Sequence, residues 1–511
     1  MTHVPAPRAV PRRPHRPTRA RAIACGALAA GLAFGSMGCS QPAEPTPRRP
    51  DAATVAAAIT EDGLRGRLEA LAAATGDTPP YRAVGGAGYD RAAAMVEDAL
   101  RDAGWTVAAD TYDGLAFEDS GASSLEVGGR TFGKEDLLPL VFAPPGDVAG
   151  PVVPIDWDPA ATGPDGKGCS VTDYGDLPTN AIVVVRSGDC LRRDQVIAAQ
   201  NAGAAAFIAV YPWAPSGAVY RPTLIEPRFL TIPGAGVSGE AAEALAAAAE
   251  SGASAHLVTR ARTRQAPTRS IIAELPGTEP GAVIMLGAHL DSIPDGPGIN
   301  DDGSGVAALL EIAAALAGTR PRATIRLAFW SGEELGLHGS YRYATALSTE
   351  DARAILVYAN VDMIASPNGF AGVYDEPRAP NGSAAARDLL ASAVERAGGA
   401  PVRVDIGGGS DHRAFAEIGV ATAGVFSGAS EPVSAEQASS SGSASSGATA
   451  NANATAGATG SRAVAGRPAD ACYHQRCDDR ANANLRLARV LAAGLADFTV
   501  RVANNPELLR H

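Results

Sequence analysis

The sequence predicts an α/β fold: a mostly parallel, mixed central sheet with helices on both faces, interrupted by an inserted β-rich domain. Three observations carry this. From about residue 270, continuous apolar runs alternate with helical patterns, as buried strands joined by crossover helices require. Between about 120 and 262 that alternation gives way to short β-like runs separated by Gly and Pro. Finally, 511 residues exceed what one hydrophobic core supports, so more than one domain is expected.

Taken in order, residues 1–22 carry six Arg and no acid. An apolar run from Ala22 to Phe34 follows, ending in Ser36-Met37-Gly38-Cys39. This is the pattern of a secretory signal over 1–38, with an apolar run too short to span a bilayer. Cys39 sits where a bacterial lipoprotein is cleaved and acylated, although Ser36 replaces the usual Leu. A lipid there would anchor the chain on the outer face of the membrane; otherwise the protein is extracellular. Removing the signal takes the formal net charge from −12 to −18, which argues against nucleic acid as a partner. Any membrane contact is expected through the anchor alone. Residues 39–52, with several Pro, read as a tether.

Helical patterns cover 53–75 and 89–103, the second stopped by Gly104, and Trp105 to Thr111 reads as a strand. The β-rich region, set at 121–262, holds strand-like runs at Ser124–Val127, Leu137–Phe142 and Ala181–Val185. The flanking segments 53–120 and 263–505 form the main domain. Its strand runs are Ala282–Ala288, Thr324–Trp330, Ile355–Val361 and Val420–Phe426, and Ser304–Ala317 reads as a helix. Residues 430–470 are rich in Ser, Ala, Gly and Thr, bury little, and read as a mobile loop over or beside the site. Beyond Cys25 and Cys39, the cysteines fall into two close pairs, Cys169 with Cys190 and Cys472 with Cys477. In an exported chain these read as disulfides.

Ligand-type residues follow the strand runs, where open α/β sheets place their sites. His289 and Asp291, then Asp301 in a Gly-rich turn, Glu333-Glu334, Asp362 and His474 supply imidazole and carboxylate for two zinc-type ions, with one carboxylate left as a base. Singly, each has a plainer explanation. Asp301 could cap the following helix, with Asp302 or Ser304 the better caps, and Glu333-Glu334 could be a surface pair at a helix start.

The ordered set removes that ambiguity. His289-Leu290-Asp291, Asn300-Asp301-Asp302-Gly303, Glu333-Glu334-Leu335-Gly336, Asn360-Val361-Asp362-Met363, Ser410-Asp411-His412 and Cys472-Tyr473-His474 resemble the family-28 zinc metallopeptidases, above all the secreted bacterial di-zinc aminopeptidases. The stretch Val185-Arg186-Ser187-Gly188-Asp189-Cys190 and the later Gly203-Ala204-Ala205-Ala206-Phe207 resemble a protease-associated (PA) domain, which some of those enzymes carry as an insertion. The resemblance implies two Zn²⁺, one held by His289 and Asp362, the other by Glu334 and His474, with Asp301 bridging. It implies Glu333 as general base, Tyr473 as oxyanion donor, and a substrate pocket near Phe426 favouring apolar residues at a peptide's amino end. Asp291 is expected to receive the second ring N–H of His289. Asp411 and His412 are expected to shape the pocket, and His256, His338 and His511 to stand aside.

Two departures are visible. Gly409 stands where close relatives often have Arg before Ser-Asp-His, with Arg413 as a candidate substitute. The region after Asp479 is shorter than in relatives that bind structural calcium there, so no calcium site is expected. A carboxypeptidase or dipeptidase would use the same ligands. A non-catalytic PA-plus-peptidase binding protein would lack some of them, and a single-zinc cyclase would leave Asp301 and Asp362 with little to do.

Overall fold

The computed structural model describes residues 48–76, 81–155, 167–186, 190–211, 219–440 and 462–510. All belong to one compact unit, Pro47–His511. The secretory segment, Cys39, most of the tether, residues 187–189, the stretch 441–461 and His511 lie outside the described residues.

The main domain is built on a mixed eight-stranded sheet. Its strands in chain order are β1 (Thr106–Asp119), β2 (Ala261–Leu275), β3 (Val283–His289), β4 (Thr324–Trp330), β5 (Ile355–Val361), β6 (Gly372–Tyr374), β7 (Val402–Val404) and β8 (Thr422–Phe426). Across the sheet they run β1-β2-β4-β3-β5-β8-β6-β7. The centre, β4-β3-β5-β8, is parallel, and β1-β2 and β6 add antiparallel pairings. Central strands buried on both faces need continuous apolar sequence. Alternate residues accordingly face opposite cores: Ile284 and Leu286 join one cluster, Val283 and Met285 the other.

One face is covered by helices Glu61–Thr75, Gly303–Ala315, Ser383–Arg396 and Leu485–Asn504, whose apolar side chains share one core with the strands. The other is covered by His338–Ala346 and His412–Glu417, packed around Trp330, Tyr358 and Phe415. The Tyr358 and Phe415 rings stack at 4.0 Å. The helical pattern read as 53–75 is two helices, Ala52–Ala58 and Glu61–Thr75. Ile59 is extended, and the Thr60 hydroxyl accepts the Gly63 N–H, a capping bond that starts a new helix.

The insertion leaves along β1 and returns along β2, which pair antiparallel from Thr106↔Glu274 out to Asp119↔Ala261. The strand expected over Trp105–Thr111 is therefore twice as long, because this arm carries the chain into the inserted domain. There a second eight-stranded sheet has a parallel centre, Gly146–Ile155, Ile182–Arg186, Ala206–Val210 and Gly234–Val237, with antiparallel edges. Helices Arg192–Asn201 and Gly239–Ser251 cover it. Cys169 and Cys190 are joined, as are Cys472 and Cys477.

Candidate metal centre

Each proposed ligand lies just beyond a strand or on a loop tied to one. His289 closes β3, and its ring is fixed before any ligand is considered. Its Nδ1 donates to the backbone carbonyl of Asp291 at 3.0 Å, leaving the Nε2 lone pair facing the cleft. Asp291 is the expected partner and serves through its main chain; its carboxylate oxygen is 3.9 Å away. The carboxylate instead accepts the backbone N–H groups of Gly332, Glu333 and Glu334 at 2.8, 3.2 and 3.3 Å. Two residues of spacing let the main chain reach the ring and send the side chain to the next loop. Asp291 thus ties His289 to the loop that carries Glu333 and Glu334.

Asp301 stands at the centre. Its Oδ1 is 3.1 Å from His289 Nε2 and its Oδ2 is 3.2 Å from His474 Nε2. Asp362 Oδ1 is 3.5 Å from His289 Nε2, and Glu334 Oε2 is 3.0 Å from His474 Nε2. Two clusters result, His289-Asp301-Asp362 and Asp301-Glu334-His474, each with its candidate ligand atoms within 4.8 Å of one another. Asp301 offers one oxygen to each. Asp302, the neighbour expected as a cap, is one: it accepts from Gly305 N–H at 2.9 Å and also from Met363 and His289 N–H.

The donor set fits divalent cations. Glu334 Oε1 and Asp362 Oδ1 are buried and lack a hydrogen-bond partner. Native structures rarely leave buried carboxylate oxygens in that state without a missing ion or water to explain it. Two imidazoles and three carboxylates suit zinc. The electrostatics agree. Burial disfavours a charged His289 ring, yet Glu333 and Asp362 outweigh it and hold its pKa well above the usual value. His474 is raised in the same way, against its burial, by Glu334 and Asp301. Burial would raise Asp301, but bonds from His289 and His474 hold it below the ordinary carboxylate range. The cluster attracts positive charge from whatever source is present.

Glu333 shares a cavity of about 500 Å³ with Asp301, Asp362, Tyr473 and His474. Burial, with His289 opposing and Asp362 and Asp411 adding, pushes its pKa well up. Tyr473 stacks on His474 with ring centroids 3.8 Å apart, and burial and the nearby carboxylates raise its hydroxyl well above 10.0. Met363, Phe370, Val404 and Phe426 give the cavity an apolar wall.

A chain of hydrogen bonds with a single direction reaches Asp362. Trp330 Nε1 donates to Tyr358 (2.8 Å), Tyr358 to Asn360 Oδ1 (2.9 Å), Asn360 Nδ2 to Ser410 Oγ (2.8 Å) and Ser410 to Asp362 Oδ2 (2.7 Å). Indole can only donate and carboxylate only accept, so the polarity is fixed and Oδ1 is left for the cleft.

Sequence reasoning missed the layer beneath. Asp478 accepts the backbone N–H groups of Asn300 and Asp301 at 2.8 and 3.0 Å, clamping the Asp301 turn. Its carboxyl is pushed up to about 7 by burial, then by Asp470. Arg82, 1% exposed, donates to the carbonyls of Leu290, Pro297 and Gly298 and sets a permanent positive charge beside Asp478, Asp302, Asp291 and Asp301. A single Arg between two helical patterns gives no signal of this.

Other expectations resolve as follows. His412 turns to Glu376 at 2.7 Å, away from both clusters. Arg413 binds Glu417 at 2.9 Å and does not take the place of an Arg at Gly409. The stretch read as a mobile loop is ordered at both described ends: Val433, Ala463 and Ala469 pack on Phe370 and Tyr374, and Glu431, Gln437 and Ala469 wall the cavity. His338 opens its helix and belongs to neither ligand cluster; its Nε2 donates to the carbonyl of Ile225 in the inserted domain at 3.1 Å.

Comparison with known proteins identifies the family. Residues 270–499 match Peptidase family M28, and residues 148–245 match the PA domain. The chain is 32% identical over 495 residues to the probable lipoprotein aminopeptidase LpqL of Mycobacterium tuberculosis, covering 92% of each. It is 30% identical over 440 residues to an aminopeptidase of Pseudomonas aeruginosa, covering 82% of this chain and 76% of that one. Its fold is similar to that of an aminopeptidase from Aneurinibacillus, with a TM-score of 0.66 at 20% identity over 89% of this chain and 96% of the other. Spanning nearly the whole of such a relative, with both domains matched in place, this chain belongs to peptidase family M28.

Proposed function

We propose that this protein is an exported di-zinc aminopeptidase that removes N-terminal, apolar residues from peptides. The observation that carries the reading is Asp301, one carboxylate with an oxygen toward each of two ligand clusters, beside a base-competent Glu333. His289, Asp301 and Asp362 would hold one ion, and Asp301, Glu334 and His474 the other. Zinc ions, when bound there, supply Lewis acidity to the scissile carbonyl and make water acidic enough to lose a proton near neutral pH.

The chain's own groups do the rest. Glu333 accepts the proton at its carboxylate as the water oxygen adds to the carbonyl carbon, then returns it to the amine nitrogen as the C–N bond breaks. Tyr473 remains protonated and donates to the oxygen on which negative charge develops. The acidic side chains that line the cavity beyond the proposed ligands, Asp405 among them, favour a cationic peptide amino end over a carboxylate end. Arg403, on the cavity wall, has its guanidinium 2.6 Å from Asp388, which weighs against a carboxypeptidase. Met363 and Phe426 support a preference for Leu-like side chains. The secretory pattern over 1–38 and the lipoprotein relative support lipidation of Cys39 and a place on the outer face of the membrane.

The test is hydrolysis of leucine p-nitroanilide and of its N-acetylated form, with chelator, with zinc restored, and with Glu333→Gln. Zinc-dependent cleavage of the free amine substrate alone, absent in the variant, supports the reading. Cleavage of the acetylated compound, or of C-terminal residues only, overturns it. Labelling by a radioactive fatty acid that persists in Cys39→Ala would dismiss the anchor.

A further inference from the structure

Seven residues of the inserted domain, Val219 to Ile225, touch both loops that carry the second ligand cluster. At one end the carbonyl of Val219 accepts Gln475 Nε2 at 3.0 Å, next to His474. The Tyr220 and Tyr473 rings lie 6.3 Å apart. Arg221, buried, binds Asp119 at 3.0 Å and Asp295 at 3.1 Å, tying the stretch to the outer end of the β1–β2 arm and to the main-domain loop after His289. At the other end the carbonyl of Ile225 accepts His338 Nε2 at 3.1 Å, and the His338 ring stacks on Phe142 with centroids 6.0 Å apart.

Between these points Leu335, the residue after Glu334, is buried in the inserted domain's own core with Leu140, Val141, Phe142 and Leu224. Gly336 lies flat on Ile225 at φ +115, and a Cβ there would come within 3.0 Å of Ile225 Cα. Ile225 itself is β-branched at φ 69, a conformation such residues avoid unless the surroundings impose it. The loop 331–338 is thus gripped from two sides. Asp291 holds three of its N–H groups from within, and the inserted domain holds Leu335 and His338 from without.

We infer that the PA domain is a brace for catalysis: the stretch Val219–Ile225, with Leu335 as its main anchor, fixes the spacing between the Glu333-Glu334 loop and the Tyr473-His474 loop. Leu335 and His338 are positioning residues, and the proposal rests on the reading of Glu333, Glu334 and His474 given above. The cluster containing His289 and Asp362 is supported by strand ends and makes no use of this brace.

The experiment uses the full mature protein carrying Leu335→Ala, Leu335→Met or His338→Phe. It measures kcat, KM, and stepwise zinc release to a chromogenic chelator, with His289→Ala and His474→Ala assigning the two steps. Leu335→Ala should lower kcat about ten-fold or more with KM within about two-fold, and loosen the Glu334-His474 zinc about ten-fold while leaving the other unchanged. Leu335→Met, similar in volume, should restore both. His338→Phe keeps the stacked ring and loses only the bond to Ile225, and should move both quantities the same way by about three-fold if Leu335→Ala does not fold. Equal loosening of both zinc ions, unchanged kcat, or no rescue by Met overturns the brace. A wild-type chain that binds two zinc ions but cleaves no free-amine substrate overturns the aminopeptidase reading while the release order still decides the brace; a chain holding fewer than two overturns both.

Discussion

The two ligand clusters share Asp301 and are held by opposite means. His289 and Asp362 stand at the ends of β3 and β5, adjacent parallel strands in the middle of the sheet. Their orientation comes from the scaffold: a ring bonded to the backbone carbonyl of Asp291 and a carboxylate at the end of a hydrogen-bond chain starting at Trp330. Glu334 and His474 stand on loops. One is tied down by Asp291 and Leu335, the other by the Cys472–Cys477 link and by Gln475. Strand ends need little extra help to hold a ligand within the fraction of an ångström a metal site demands; loops need several outside fastenings. The same donor types therefore predict unequal sensitivity to change.

The largest effect should leave both clusters alone. Glu333→Gln keeps shape and removes the proton acceptor, so kcat should fall about 10³-fold or more with two zinc ions still bound. Loss of zinc along with activity would show that the base also serves as a ligand. Next comes the cost of carboxylates packed round the strand-end cluster. Asp411, buried, has its carboxyl pushed up to about 7 by burial, with His289 opposing and Asp291 and Asp362 adding. A carboxyl raised in the folded state from 3.8 contributes stability below about pH 4, and that stability is lost as pH rises through about 7. Metal-free protein should therefore lose up to a few kcal/mol across that window, and Asp411→Asn should flatten the decline in urea titrations at pH 4 and pH 8. Parallel curves for variant and wild type would remove Asp411 from the account.

Ser410→Ala breaks the chain to Asp362 and should weaken the strand-end zinc about 10- to 100-fold, with the loop-held zinc unaffected. Smallest is the double change Cys472→Ser, Cys477→Ser. Closing a loop with a sequence separation of 5 contributes about 2 kcal/mol at most. Its loss should show mainly as earlier release of the loop-held zinc; earlier release of the other ion instead would invert the comparison.

The same contrast governs what could be read without a structure. β4 and β5 have the bounds their mainly apolar runs predict, because strands in the middle of a sheet covered on both faces draw mostly on apolar residues. The candidate ligands after them were legible because chemistry restricts metal-binding side chains to a few residue types, and the fold brings the ones at these points together. β6 and β7, three residues each, carry no period to detect, and the antiparallel return of β1 onto β2 depends on residues about 150 apart. Arg82, Asp470 and Asp478 look like ordinary solvated charges, and only folding shows them buried. Asp291 receives the ring N–H of His289, and does so through its carbonyl, because spacing says which residue is near but not whether main chain or side chain makes the contact. Leu335 and His338 sat inside a recognised motif, yet their partners lie about 110 to 195 residues earlier.

The described chain begins beside Thr319: Arg48 bridges to that residue, its carbonyl accepts Arg320 N–H at 2.9 Å, and Pro50 accepts Asn504 Nδ2 at 2.8 Å. These contacts lie just before Thr324, where β4 starts, whereas Glu333 follows its end at Trp330. Seven residues of strand separate the two by about 20 Å. The amino end of the described chain thus meets the floor of the sheet, at the opposite end of β4 from the candidate ligands and the cavity they line.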